Sequence, residues 1–418
     1  MVTALTKASQ SNHLINSLIP ITVALHLSKA TREIGLIALF LWIVLQLWSG
    51  LQVMRRHNAA REAWLPWALI LGFFLFNSRN IILRDDYHGP ITFLIIGAGL
   101  LLGSQFNERQ WRELMSWIAI SIAPAAIYFA SQLAIKGDWT FNSFFDTYYE
   151  LVKPSMGSIN RLATLSTFQT LAAWYSSTLS RMRWSQAGHL LLAAIGYWIV
   201  LGTDSRMAIS AVPIAILLPW LAFRLHRRLN RNLVIISLLS TTTFVAFWAW
   251  ELVIKSWFFT SDVMRLRMAT CWIRKGMLSS LKHFWMGSGY NTDQLREACE
   301  FIRPGDSFGH AHNTIAHIAG NHGLLGLIGL FAVTALVAHG LWRQRPTNDK
   351  QLAWSPWRST SWAEISFGFN FALLFCALST TVQIASPVNQ LLIGLMAGSA
   401  CLNASVDVSP PMPDEVNT

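Results

Sequence analysis

The residues with the most evident chemical potential lie between Phe308 and Gly326, where His310, His312, Asn313, His317, Asn321 and His322 enter an apolar run. His312 and Asn313 stand where a helix is expected to begin. The positive end of a helix disfavours an added cation, so it helps hold an imidazole neutral, and a neutral imidazole can act as a general base near pH 7. Gly323 follows His312 by 11 residues. At about 3.6 residues per turn that is close to three turns, so a continuous helix puts both on one face. Gly320, Gly323, Gly326 and Gly329 recur at every third position and predict a smooth ridge for close packing of another helix or a lipid chain. His310, His312 and His322 offer a metal site as the other reading of the cluster. Transition-metal sites commonly need a full ligand set and a supporting shell around it, which the spacing does not provide, so the site is expected to be metal-free. His317 reads as a polar contact within the bundle.

The surroundings of these residues are those of a membrane. Of 418 residues 53% are hydrophobic and 13% charged, against roughly 25% charged in soluble proteins. With 20 Trp and 24 Phe, the chain has too few charges to cover a soluble surface, which excludes an ordinary cytosolic enzyme, a disordered protein and a disulfide scaffold. The net charge of +11 does not indicate nucleic acid, because Lys and Arg sit between apolar runs rather than on one polar stripe. Runs near the 20 or so residues needed to span the hydrocarbon core occur at 14–29, 33–53, 64–82, 90–104, 114–135, 159–180, 187–202, 206–223, 233–254, 314–341, 362–381 and 388–404. The expected fold is therefore an all-α integral membrane protein of about 12 transmembrane helices, with residues 1–418 forming a single polytopic membrane domain. The run opening at 159 is weak because it carries Thr164, Ser166, Thr167, Gln169 and Thr170. No cleavable signal peptide is read, and the first helix is expected to stay in the membrane.

Cations in the short connections number 16 on one side and 8 on the other, which places both termini in the cytoplasm. Eight more cations fall in one long outside loop, 255–313, between the ninth and tenth spans. Its aromatic content argues against disorder. Within it, 262–282 reads as an amphipathic helix at the membrane surface, with Met264, Met268 and Trp272 facing lipid or protein and Arg267 and Arg274 turned elsewhere. Cys271 and Cys299 share this loop, and a bridge between them is left open. Cys376 and Cys401 read as buried apolar residues. Lys153 and Arg161, at an earlier outside connection, are secondary candidates for touching phosphate or glycan. Asp306 either orients a histidine or is an ordinary loop residue.

The series His312, Asn313, nine residues, Gly323, two residues, Gly326 resembles the signature of bacterial O-antigen ligases and the related protein O-oligosaccharyltransferases. Ser205 and Arg206 resemble that family's Ser-Arg element at an outer helix end, and Arg265, Trp272, Gly287, Ser288 and Gly289 resemble its loop pattern. The resemblance implies a GT-C-like membrane glycosyltransferase of the bacterial inner membrane with its active site facing the periplasm. Its donor would be a glycan on undecaprenyl pyrophosphate, its acceptor the lipid A-core oligosaccharide, and its surroundings membrane lipids, with no nucleic acid and no cofactor. In that reading His312 deprotonates the acceptor hydroxyl. Arg206 and Arg265 hold the pyrophosphate, since a guanidinium stays charged and can grip phosphate oxygens with two parallel hydrogen bonds. Asn313, His310, Arg161, Lys153 and Asp306 are secondary candidates. Without the resemblance Arg206 is a snorkelling anchor and Arg265 part of a headgroup-seeking helix. An O-antigen or capsule polymerase on the same carrier is the nearest alternative. A lipid-linked oligosaccharide transporter is disfavoured, because the spans themselves are nearly free of Lys and Arg. His312→Ala is expected to leave the protein in the membrane and to abolish transfer to lipid A-core, a loss of about 100-fold or more for a general base. Full activity of that variant would remove His312 from the mechanism.

Overall fold

The structure, a computed structural model, describes residues 15–28, 30–54, 88–152, 159–180, 182–203, 205–228, 266–289, 292–299, 311, 313–343, 362–379 and 387–400. In chain order the helices are α1 (Leu18–His26), α2 (Arg32–Met54), α3 (His88–Gln105), α4 (Glu108–Ile120), α5 (Ile122–Lys136), α6 (Phe141–Thr147), α7 (Ile159–Leu179), α8 (Arg183–Gly202) and α9 (Arg206–Arg228). After helical residues 266–272 come α10 (Leu281–Met286), α11 (Thr292–Cys299), α12 (Thr314–Arg343), α13 (Trp362–Ser379) and α14 (Pro387–Ser399). No strand occurs among the described residues. The expected spans 64–82 and 233–254 lie outside them. Three described stretches, Glu108–Lys136, Arg183–Gly202 and Thr314–Leu341, are long and apolar enough to cross a membrane by length and composition.

The run 114–135, expected as one helix, is divided at Ser121 between α4 and α5. Pro124 is the physical reason: without an N–H it cannot pair with the Ile120 carbonyl, and its ring crowds that carbonyl. Ser121 Oγ donates to the Ile118 carbonyl (2.6 Å) and accepts from Gln169 Nε2 (2.7 Å), which ties the break to α7.

α7, the weakest span by hydropathy, is among the most enclosed helices of the bundle. It packs against α4, α8, α9 and α13, and Leu162 to Ala173 are all buried. Its polar residues are compatible with that position because several bond within the bundle. Thr164, Thr167 and Thr170 donate to the carbonyls of Asn160, Ala163 and Ser166 at 2.8, 2.8 and 2.6 Å, the usual way for a helical threonine to satisfy its hydroxyl among apolar neighbours.

The same accounting explains α9, which contains Pro213 and Pro219. Each proline removes the donor for the carbonyl four residues earlier, Ile209 and Ala215. Two tyrosines from neighbouring helices replace them. Tyr197 of α8 donates to the Ile209 carbonyl at 3.2 Å and Tyr175 of α7 to the Ala215 carbonyl at 3.0 Å. Gly368 of α13 leaves the room that the Tyr175 hydroxyl occupies.

Elsewhere backbone meets backbone. Gly99 and Gly103 of α3 face Gly394 and Gly398 of α14 in the same order, so the two helices run parallel. A methyl added at Gly99 would lie 2.5 Å from the Leu391 carbonyl oxygen, and one at Gly103, Gly394 or Gly398 would also strike a facing carbonyl. Two small-xxx-small pairs thus pack reciprocally, the arrangement that lets helices approach closely in lipid.

Tyr175→Phe should cost about 1–3 kcal/mol, the penalty for stranding a buried acceptor, and less when Pro219→Ala restores an N–H to the Ala215 carbonyl. Denaturant unfolding of the purified protein in detergent measures both backgrounds. Equal losses in the two would separate Tyr175 from Pro219.

Candidate functional site

Asn313 begins α12. Its side-chain oxygen accepts from the Ala316 N–H at 2.9 Å and its carbonyl from the His317 N–H at 2.9 Å. That is N-cap geometry, as expected of an Asn before an apolar run. His312, directly before the cap, lies outside the described residues, as do His310, Asp306, Arg265, Lys153, Met264 and Cys401. Arg206 is the first residue of α9, which agrees with the Ser-Arg element standing at a helix start; only its backbone is described.

The continuous helix expected from His312 through Gly323 does not form. At Gly323 the backbone turns to φ 61°, ψ −155°, which separates residues 314–322 from 324–343. The break is open to glycine because L side chains are strained at that φ. Crowding imposes it as well: a Cβ on Gly323 would lie 2.6 Å from both the Gly287 nitrogen and the Phe284 carbonyl oxygen.

A continuous helix would pair the carbonyls of Gly320 and Asn321 with the N–H groups of Leu324 and Leu325. The loop supplies other donors. Ser288 donates its N–H (2.9 Å) and hydroxyl (3.1 Å) to the Gly320 carbonyl, and the Gly289 N–H donates to the Asn321 carbonyl at 2.9 Å. The Gly287-Ser288-Gly289 element is thus the C-terminal cap of the short helix. Gly320 and Gly323, two of the glycines read as a ridge for a second helix or a lipid chain, receive this loop instead: Gly276 lies against Gly320, where an added methyl would be 2.6 Å from the Gly320 oxygen.

The loop also departs from a single amphipathic helix over 262–282. Helical residues 266–272 run into a π-helical turn, Ile273–Met277, after which α10 begins under a Ser280 cap whose Oγ accepts from the His283 N–H at 3.1 Å. The wide turn sets Gly276 against Gly320. Side-chain orientation follows expectation. Met268 and Trp272 are buried, against protein, while Arg267 and Arg274 are exposed. Cys271 and Cys299 form a disulfide, with Cα atoms 6.0 Å apart, that joins this stretch to α11. Met268, Trp272, Leu295, Ala311 and Ala316 make a small core around it, so residues on both sides of His312 and Asn313 are anchored in the loop. Cys376 is buried, as read.

A second group gathers at the start of α7. Asn389 Nδ2, from the first turn of α14, donates to the Arg161 carbonyl at 2.8 Å. The Arg161 guanidinium acts electrostatically on Tyr148 and on Arg32. Burial pushes the Tyr148 hydroxyl well above the usual phenol value, against the opposing pull of Arg161, so Tyr148 stays a neutral donor. Ala163 and Ala208, each two residues inside Arg161 and Arg206, pack in one cluster with Val200. The starts of α7 and α9 are therefore neighbours. In the sequence Arg32 counts only among the topology charges, and neither Arg32 nor Tyr148 carries a spacing signal.

Among the described residues no group of His, Cys, Asp and Glu is placed to hold a metal ion.

The family model described as O-antigen ligase matches residues 190–331. Over that stretch the chain is similar to the O-antigen ligase superfamily. It contains Arg206, the Trp272 and Gly287-Ser288-Gly289 elements and the whole His312 to Gly326 series. Together with the apolar helices, the ligase-family match makes this a membrane protein and supports an activity of the ligase and polymerase class of membrane glycosyltransferases, acting on lipid-linked substrates. No curated protein matches the chain.

Gly323→Ala should destabilise the ligase-family stretch by about 1–3 kcal/mol, through strain at positive φ and displacement of the loop. Gly188→Ala, where an added methyl meets open space in α8, should be neutral or stabilising by up to about 1 kcal/mol. Thermal unfolding in detergent and protease sensitivity near residue 287 report the contrast; equal effects at the two positions would refute it.

Proposed function

We propose that the protein is an O-antigen ligase of the bacterial inner membrane, moving a glycan from undecaprenyl pyrophosphate to the lipid A-core oligosaccharide at the periplasmic face. The observation that carries this reading is the Asn313-capped short helix, closed at its other end by Gly287-Ser288-Gly289, within the stretch that matches the ligase family. A built helix terminus beside His312 suits a neutral base.

The donor has a good leaving group, so the demands on the protein are modest. His312 takes the proton of the acceptor hydroxyl as its oxygen bonds to the anomeric carbon. The bond from that carbon to the pyrophosphate oxygen breaks, and its electron pair leaves with the pyrophosphate. Arg206 and Arg265 meet the charge that develops there, with Arg161 and Lys153 as further cations toward the same anion. Direct displacement inverts the anomeric centre and requires no metal. The disulfide between Cys271 and Cys299 suits an oxidising compartment such as the periplasm, and this agrees with the charge-based orientation that puts both termini in the cytoplasm. Asn313 has its side-chain oxygen committed to the cap, so it serves by fixing the helix start. His310 and Asp306 flank the base in sequence and are candidates for orienting it.

Reconstitution with an undecaprenyl pyrophosphate glycan, offered lipid A-core in one vessel and a second carrier-linked glycan in another, separates the alternatives. Product on lipid A-core, formed in EDTA and of inverted anomeric configuration, is expected. Chain growth on the carrier instead would make the protein a polymerase, and passage of the donor across a bilayer without transfer would make it a transporter.

A further inference from the structure

His317, one turn into α12, is buried beneath the loop, with its ring stacked on Trp272 at 5.7 Å between centroids and 24° between planes. Asn321 links the same two residues. Trp272 Nε1–H donates to Asn321 Oδ1 at 3.0 Å, and Asn321 Nδ2 lies 2.9 Å from His317 Nε2. The roles in this chain are fixed by elementary chemistry. An indole nitrogen can only donate, so the Asn321 atom that meets it is the oxygen. The amide nitrogen, which can only donate, is then turned toward His317. His317 Nε2 must accept, which leaves the ring neutral with its proton on Nδ1.

Trp272 is adjacent to Cys271, the disulfide residue, and the His317 N–H is bonded to the carbonyl of Asn313. The chain of contacts therefore runs from the stapled loop through indole, amide and imidazole to the turn that follows His312. We propose that Trp272, Asn321 and His317 are positioning residues, a polarised relay that sets the first turn of α12, the turn that directly follows His312 in the sequence, against the loop; this rests on His312 being the base of the transfer reaction. None of the three is a catalytic residue.

The geometry makes an asymmetric prediction for two replacements at one position. His317→Gln can place an amide oxygen where Nε2 stands and accept from Asn321, whereas His317→Leu fills the space and strands the buried amide. In the full-length protein, with undecaprenyl pyrophosphate glycan and lipid A-core, His317→Leu should lower kcat by about 10- to 100-fold, the scale set by misplacement of a catalytic group by about 1 Å, with little change in donor KM. His317→Gln should stay within severalfold of the unaltered protein. Trp272→Phe, which keeps an aromatic ring but loses the donor and part of the indole volume, should lower kcat in the same manner, and combining it with His317→Leu should add little. Hydrogen exchange over residues 313–318 should quicken in His317→Leu and Trp272→Phe and return to normal in His317→Gln.

If His317→Gln is as inactive as His317→Leu while exchange in it is normal, His317 acts on substrate and the positioning role is overturned. Unchanged exchange and kcat in Trp272→Phe would overturn the relay even if His317→Leu failed to fold. Should the unaltered protein transfer nothing to lipid A-core, the ligase reading fails, and the exchange pattern alone decides the relay.

Discussion

Backbone carbonyls govern this molecule. In an apolar surrounding a carbonyl without a donor costs several kcal/mol, so every place where a helix is broken must be matched by a donor from elsewhere. Three breaks show how the chain meets that demand. Pro213 and Pro219 free the carbonyls of Ile209 and Ala215, and tyrosines from α8 and α7 donate to them. Gly323 frees those of Gly320 and Asn321, and the backbone of residues 288 and 289 donates to them. In each case the substitute donor comes from a different element, so the break itself becomes a tertiary link. The ligase-family stretch is held together largely by such links: α9 to its neighbours at one end, α12 to the loop at the other.

Glycine serves two distinct purposes within this scheme. At Gly99, Gly103, Gly394 and Gly398 it removes bulk so that two unbroken helices can lie backbone to backbone, and dispersion between them replaces the hydrophobic drive that lipid does not provide. At Gly323 it supplies a conformation, and the close contact with Gly287 follows from it. Gly320 and Gly276 serve the first purpose, bringing a π-helical turn onto a helix short enough to be gripped at both ends.

Hydropathy and charge made the helical, membrane-spanning character legible, because both are properties of composition over windows of about 20 residues. Their signal was weakest where a helix faces protein, as at 159–180, which still forms a helix over Ile159–Leu179. The threonines of α7 lowered its hydropathy, yet they mark its enclosure, since each turns its hydroxyl back on its own helix. The helix start at His312 and Asn313, and Met268 and Trp272 turned together toward lipid or protein, were legible from local pattern. The break at Gly323 was not, because a glycine in an apolar run reads the same whether it packs or kinks; only the loop lying across it distinguishes the two. The disulfide and the meeting of Tyr148 with Arg161 depend on how distant segments are brought together, which spacing alone does not specify.

The signature spacing itself acquires a physical meaning. Between Asn313 and Gly323 lie nine residues, 314–322, and these nine are the short helix from its N-cap to its break. A residue more or fewer would rotate the C-terminal carbonyls by about 100° relative to the cap, so that the Gly-Ser-Gly element could not meet them while the loop core still held Ala311 and Ala316. The two residues that follow the break bring Gly326 under the same helix, where an added methyl would strike His322 and approach Ile318 Cγ2 at 3.1 Å. The motif thus measures a structural unit: a helix of fixed length and fixed rotation, capped at one end beside His312 and at the other by the loop. In the proposed mechanism that unit sets the helix start directly after His312 in the sequence, and its cap, break and loop contacts are all made by other residues, so none of them needs the His312 side chain.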